Sequence, residues 1–239
     1  MKRIIVGITD HSPPPFNVEK EALGHNAEII FLNSIYEENF DPIILRKLDA
    51  LLVWRTKISE NTIRFLDRCK IVVRYGVGYD DIDLKTLNKN GIHFCNVPDY
   101  GTQEVADSAC ALLLGLHRRI LYYDNLSRKL DKDWQNHSCK TSRFSKTTLG
   151  VVGVGRIGTA LINRMKPFGV NIIGFDPFQP SGHEKAIGYD RVSSIYHMLS
   201  KCDLISFHCP LNEDTIGIIN MSLLSKLKSD SIVVNTARG

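Results

Sequence analysis

The sequence predicts an α/β protein of two parallel-sheet layers in tandem, and three observations carry the prediction. Leu149–Asp176, LGVVGVGRIGTALINRMKPFGVNIIGFD, reads as strand, glycine turn, helix and strand, ending in an acid. Across residues 1–100, apolar runs of strand length alternate with helical segments. Between these stretches, Pro98-Asp99-Tyr100-Gly101 interrupts the alternation and a long apolar helical run follows.

In order, Lys2–Gly7 is expected as the first strand and Ser12–Pro15 as a proline-rich turn. Glu28–Leu32, Ala50–Trp54, Lys70–Tyr75 and Ile92–Asn96 are the remaining strands of the first layer, with Asp41–Leu48 and Asn61–Asp67 helical between them. Thr102-Gln103-Glu104 reads as the cap of one helix running from Val105 to about Tyr122. Tyr123–Thr148 is polar, with Trp134 as its main apolar anchor, and reads as an arm or interdomain connection. The second layer opens with the strand Leu149–Val152. After its glycine turn, Ala160, Leu161, Ile162, Met165 and Phe168 recur at helical spacing until Gly169. Val170–Phe175 is the next strand, followed by a short strand near Ile187–Tyr189, the helical Ser193–Ser200, the strand Asp203–Phe207, the helix Ile219–Leu227 and the strand Ser231–Asn235. The domains are thus expected at 1–100 and 101–239. Five strands in the second layer, where a doubly wound nucleotide domain has about six, lead to the expectation that the chain is a shortened form of something longer.

Bulk composition bounds the function. A chain of 239 residues is long enough for a substantial core. A net charge of +4 without a dense basic block argues against nucleic acid as partner. No apolar run reaches membrane-spanning length, and the run Ile4-Ile5-Val6 is too short for a signal peptide, so a cytoplasmic location is expected. The six cysteines show no metal-ligand spacing, and most sit in apolar runs, as buried thiols of a reducing compartment do.

The glycine turn carries the first chemistry. In Gly153-x-Gly155-x-x-Gly158, the first glycine permits a tight turn, the second lets the backbone approach a pyrophosphate, and the third lets the helix pack on the strand. Asp176 follows roughly twenty residues on, where a carboxylate accepts hydrogen bonds from a ribose diol and repels a 2′-phosphate. The pattern predicts NAD rather than NADP. Three further loops follow strand ends. Arg74–Asp80, with Gly76 and Gly78, reads equally as a carboxylate nest or a simple glycine turn. Arg238, past the last strand, is placed to grip a substrate carboxylate or to stand solvated in its loop. His208, in His208-Cys209-Pro210-Leu211, is either an acid/base or, as is commoner for a lone histidine at a strand end, a packed side chain, and Cys209 lacks an activating base.

Taken together, YGVGYDDIDL (Tyr75–Leu84), GIHFCNVPDYGTQEVADSACALLL (Gly91–Leu114), GVVGVGRIG (Gly150–Gly158), FDP (Phe175–Pro177), CDLISFHCPLNEDT (Cys202–Thr215) and VVNTARG (Val233–Gly239) resemble the D-2-hydroxyacid dehydrogenases. The similarity is greatest to the branch that holds phosphoglycerate dehydrogenases and the C-terminal-binding-protein corepressors. The resemblance implies a flavodoxin-like substrate domain and a Rossmann NAD-binding domain around a cleft, interconversion of a 2-hydroxy acid and a 2-oxo acid, and a homodimer formed through the nucleotide domain by the helix from Val105 and the arm. It implies that Val77 and Gly78 present N–H groups to the substrate carboxylate and that Arg238 is the catalytic arginine. Gly153, Gly155, Arg156, Ile157, Gly158, Asp176, Cys209, Pro210, Thr236 and Ala237 would hold the cofactor. In the family an acid and then a proton-transferring histidine follow the arginine. Both would fall beyond Gly239, and none of the eight histidines here matches that place. The alternative is an NAD-responsive binding protein without turnover. Specificity would reside in Ile8–Phe16, Trp54–Thr56 and Arg74–Tyr79.

Overall fold

A computed structural model of the chain describes residues 3–10, 13–129 and 141–238. The chain divides into two compact units, Met1–Tyr100 and Gly101–Gly239. Each is built on a five-stranded sheet whose pairings are all parallel.

In the first unit the strands are β1 (Ile4–Ile8), β2 (Ala27–Phe31), β3 (Ala50–Val53), β4 (Ile71–Arg74) and β5 (His93–Asn96), in the order β2-β1-β3-β4-β5. That is the flavodoxin-like order. Among the described residues four α-helices run between the strands: α1 (Asn17–Leu23), α2 (Pro42–Leu45), α3 (Glu60–Ile63) and α4 (Leu84–Lys89). Leu45, Leu48, Leu51, Val53, Ile58, Val72 and Leu87 form a core with almost no exposure. Side chains set where the helices start. Asp41, Ser59 and Asp83 each accept a backbone N–H of the following turn. The Glu37 carboxylate takes the Ser59 N–H and the Ser59 and Thr62 hydroxyls, and these bonds hold its pKa below the usual carboxylate range against the opposing effect of burial.

Two of these helices were not expected. The helix α1 buries no side chain, so its sequence shows no apolar period. The helix α4 buries only Leu87, but its Asp83 cap, which takes both the N–H and hydroxyl of Thr86, is a readable start signal. Conversely, Asp41–Leu48 and Asn61–Asp67 contain only short helices followed by turns.

The second unit begins with α5 (Thr102–His117) and α6 (Ile120–Arg128), where one unbroken helix was expected. The break is at Arg119, whose φ of 57° cannot continue a right-handed helix. Thr102, read as part of a cap, is the first helical residue, and Gly101 occupies the cap without a side-chain bond. Trp134 lies outside the described residues. The sheet contains β6 (Thr148–Val152), β7 (Asn171–Phe175), β8 (Asp190–Arg191), β9 (Leu204–Phe207) and β10 (Ile232–Asn235), with α7 (Arg156–Met165), α8 (His183–Ile187), α9 (Ile195–Leu199) and α10 (Met221–Leu224) between them. The expected strand at Ile187–Tyr189 is instead the end of α8 and a turn. Gly188, at φ 76°, stops the helix, and the strand forms at Asp190.

The order β10-β9-β6-β7-β8 is the doubly wound arrangement of a dinucleotide-binding sheet. Period-two alternation sends neighbouring residues to opposite faces. Leu149, Val151 and Leu204 pack with Ala106, Ala109 and Leu113 of α5 and Leu161, Ile162 and Met165 of α7. Val152, Ile205 and Phe207 pack on the other face with Met198, Leu199 and Leu223. Cys69 and Cys202 are buried in these cores, whereas Cys95 is exposed, contrary to the general reading of buried thiols. Burial pushes the Cys69 and Cys202 thiols up to about 11 and about 12. Among the described residues no helix is long and apolar enough to cross a membrane.

Candidate functional site

In the second unit, β6 pairs with β7 on one side and β9 on the other, so the loops leaving β6 and β9 part in opposite directions. Such a reversal leaves a crevice at the strand carboxyl ends. The glycine turn lies there, and its three glycines sit in different surroundings. Gly153 has φ 86°, and a Cβ on it would sit 2.7 Å from the Cys209 nitrogen. Its bareness lets the two loops touch. A Cβ on Gly158 would sit 2.1 Å from the Gly153 carbonyl oxygen, so glycine alone allows α7 to approach the turn this closely. Gly155, the cap of α7, is different: nothing lies within 4 Å of where its Cβ would be. The space over it is open to a ligand. Beside it, the first-turn N–H groups of Arg156 and Ile157 have no acceptor among the described residues. Unsatisfied amides at the positive end of a helix dipole attract a phosphate. This arrangement fits a dinucleotide pyrophosphate.

Asp176 follows β7. Its carboxylate accepts the Val154 N–H at 2.8 Å and the Phe178 N–H at 3.0 Å, so it is tied to the glycine turn and still has lone pairs for a diol. Tyr189 packs against bare Gly174 behind it: a Cβ there would lie 2.5 Å from the ring.

On the other side of the crevice, the His208 N–H donates to the Val152 carbonyl at 2.8 Å. Its Nε2 is 2.9 Å from the buried Ser206 hydroxyl, and Nδ1 lies 3.5 Å from Thr236 Oγ1. Burial drives the His208 pKa down to about 4, so the ring is neutral at pH 7. Burial likewise raises the Cys209 thiol, which is therefore a poor nucleophile. Past β10, Asn235 shapes the arginine loop. Its Oδ1 accepts the Ala237 N–H at 3.0 Å and its Nδ2 donates to the Arg238 carbonyl at 2.5 Å. Arg238 is exposed, with Nη1 2.8 Å from the Ala237 carbonyl. Cys209, Pro210, Ala237 and Arg238 line one concavity of about 130 Å³ together with Leu211 and Ile218.

In the first unit, the loop after β4 holds Val77 and Gly78, whose N–H groups have no acceptor among the described residues. Its conformation comes from neighbours. Asn96 Nδ2 donates to the Val77 carbonyl at 2.8 Å, the Val97 N–H to Gly76 at 3.2 Å, and Arg74 Nη1 to the Tyr75 carbonyl at 2.7 Å. The Tyr75 hydroxyl reaches Glu19 at 3.1 Å, and burial followed by that carboxylate raises its pKa. Asn96, Asn235 and Ser206 were not singled out in the sequence. Only Asn235, two residues before the amide it bonds, belongs to a local pattern that a sequence displays.

A family model described as D-isomer specific 2-hydroxyacid dehydrogenase, NAD binding domain, matches residues 110–239. The chain belongs to the D-isomer specific 2-hydroxyacid dehydrogenase family. It is similar to C-terminal-binding protein 1 of Caenorhabditis elegans, 33% identical over 227 residues that cover 92% of this chain and 31% of that protein. It is also similar to D-3-phosphoglycerate dehydrogenase of Methanocaldococcus jannaschii, 34% identical over 197 residues, covering 82% and 37%. The chain thus spans about a third of the length of these curated relatives. Among solved structures, D-lactate dehydrogenase from Aquifex aeolicus, complexed with NAD and lactic acid, matches with a TM-score of 0.86 and 27% identity, over 98% of this chain and 69% of that one. The two parallel sheets are those of this two-domain dehydrogenase fold, and residues 110–239 are its NAD-binding domain.

Proposed function

We propose that the chain is an NAD-dependent oxidoreductase interconverting a 2-hydroxy acid and a 2-oxo acid, with residues 1–100 as substrate domain and 101–239 as nucleotide domain. The observation that carries this is the convergence, at one sheet reversal, of an open Gly155, the unsatisfied α7 amides, Asp176 and the Arg238 loop. Arg156 and Ile157 hold the pyrophosphate from the turn shaped by Gly153, Gly155 and Gly158. Asp176 takes the ribose diol, and Cys209, Pro210, Thr236 and Ala237 line the adenosine and nicotinamide sides. When bound, the cofactor supplies or accepts a hydride.

Val77 and Gly78 donate their amides to the substrate carboxylate. Arg238, the catalytic arginine, binds the substrate and polarises its carbonyl, favouring charge that builds on the oxygen. His208 is not assigned the proton. A ring held neutral by burial and bonded to Ser206 is no acid at pH 7 and a weak base. The exposed Leu112, Leu116, Ile120, Leu121 and Tyr122 of α5 and α6 support a homodimer through the nucleotide domain. The buried free thiols support a cytoplasmic location.

The test is NADH titration followed by NADH consumption over a broad panel of 2-oxo acids. NADH binding is expected, and where turnover is observed Arg238→Ala should lower it by about 10²–10³-fold while NADH still binds. A protein that takes up no NADH, or that turns over no acid in the panel, sinks the proposal. The second reading, an NAD-responsive binding protein, draws on the similarity to C-terminal-binding protein 1 and the same exposed α5–α6 face. It requires NADH-dependent dimerisation without turnover, which sedimentation with and without NADH measures.

A further inference from the structure

The loop that carries Asp176 is closed by a single guanidinium. Arg191 is the last residue of β8, and its backbone is held in register with Gly174, two residues before Asp176, by the Val192 N–H bonding the Gly174 carbonyl at 3.0 Å. From there its side chain reaches back across residues 176–180. Nη2 donates to the carbonyls of Gln179 at 2.8 Å and Asp176 at 3.2 Å, and Nη1 donates to Pro180 at 3.1 Å. Nη1 is also 3.7 Å from Glu184, whose carboxylate accepts the Gly182 N–H. Three carbonyls from one short loop thus converge on one planar fork. Pro177 and Pro180 have no N–H with which to bond the loop internally. The same loop provides the Phe178 N–H that fixes the Asp176 carboxylate from one side, while Val154 fixes it from the other.

We infer that Arg191 is a positioning residue for dinucleotide choice: it keeps loop 176–180 closed, so that Asp176 faces the adenosine ribose diol and leaves no room for a 2′-phosphate. The inference rests on the nucleotide site proposed above. Arg191 touches no part of the cofactor in this scheme; its donors are turned to the loop carbonyls and Glu184, and it acts through Asp176. Lysine carries its three donors on one nitrogen and lacks the span by which Nη1 and Nη2 reach Pro180 and Gln179 separately.

The experiment titrates NADH and NADPH separately into the wild-type chain, Arg191→Met and Arg191→Lys, following nicotinamide fluorescence. Cofactor-free melting of each reports the fold. The wild type is expected to prefer NADH. In Arg191→Met, NADH affinity should fall on the order of tenfold with NADPH affinity nearly unchanged, narrowing the preference by that factor, and Arg191→Lys should fall between. A folded Arg191→Met that keeps the wild-type preference, or loses both ligands in equal proportion, overturns the inference, because a merely structural role moves both affinities together. If Arg191→Met does not fold, Arg191→Lys decides: a narrowed preference supports the role and an unchanged one removes it. A wild-type chain that binds neither dinucleotide overturns the nucleotide site itself, a distinct result.

Discussion

The glycine turn Gly153–Gly158 and the loop Arg74–Asp80 both follow a parallel strand, hold three and two glycines, and are both assigned the backbone recognition of an anion. They are built in opposite ways. In the first, glycine is required by backbone: Gly158 meets the Gly153 carbonyl and Gly153 meets the Cys209 nitrogen. In the second, the nearest atoms to a Cβ on Gly76 would be those of the Arg74 guanidinium, from 2.7 Å, the far end of a flexible side chain. That loop is held by Asn96, Val97 and Arg74 reaching its carbonyls. One loop is shaped by what a side chain would block, the other by what is donated to its carbonyls.

Substitutions test the contrast, beginning with the largest effect. Gly158→Ala must push α7 away from a backbone oxygen, and overpacking against backbone should cost about 3 kcal/mol and abolish NADH uptake. Urea unfolding and titration measure the two losses, and wild-type behaviour in both would break the steric account of the turn.

The wall behind Gly153 is tested by pH. His208, depressed to about 4, stays neutral when folded but takes a proton near the ordinary histidine value of about 6.5 when unfolded. Between these values the unfolded chain binds more protons, so stability falls as pH drops through this window, by about 3 kcal/mol at its lower end. The part of the slope due to His208 should vanish in His208→Gln, as read from denaturation midpoints across the window.

Smaller effects belong to the first unit. Asn96→Ala frees the Val77 carbonyl and should weaken substrate-acid binding by about 1 kcal/mol, seen in KM with kcat unchanged. Gly76→Ala should cost only about 1 kcal/mol in stability, because Arg74 can move aside at the loss of its bond to the Tyr75 carbonyl. If Gly76→Ala proved as damaging as Gly158→Ala, the two loops would not differ in kind.

The same contrast explains what could be read in advance. Glycines that sterics demand leave a fixed spacing, so Gly153 and Gly158 were legible, with Gly155 and Asp176 beside them and the strands and helix around them. Side chains that reach a loop from another strand have no such spacing. Asn96 lies on β5 and bonds a carbonyl after β4, and Arg191 lies on β8 and closes the loop after β7. The helices α1 and α4 escaped notice because they bury little, and the break at Arg119 because no glycine or proline marks it.

The sequence by itself determined the two α/β layers, the position of the glycine turn and the arginine loop, and the family. These depend on local spacing and on apolar runs that neighbouring residues display. The tertiary structure decided which face of the sheet each run covers, that the loops after β6 and β9 meet at Gly153, that His208 is neutral, and that Arg191 holds the Asp176 loop. Each of these depends on atoms brought together from distant parts of the chain, and desolvation and directed hydrogen bonds act only once that meeting has occurred.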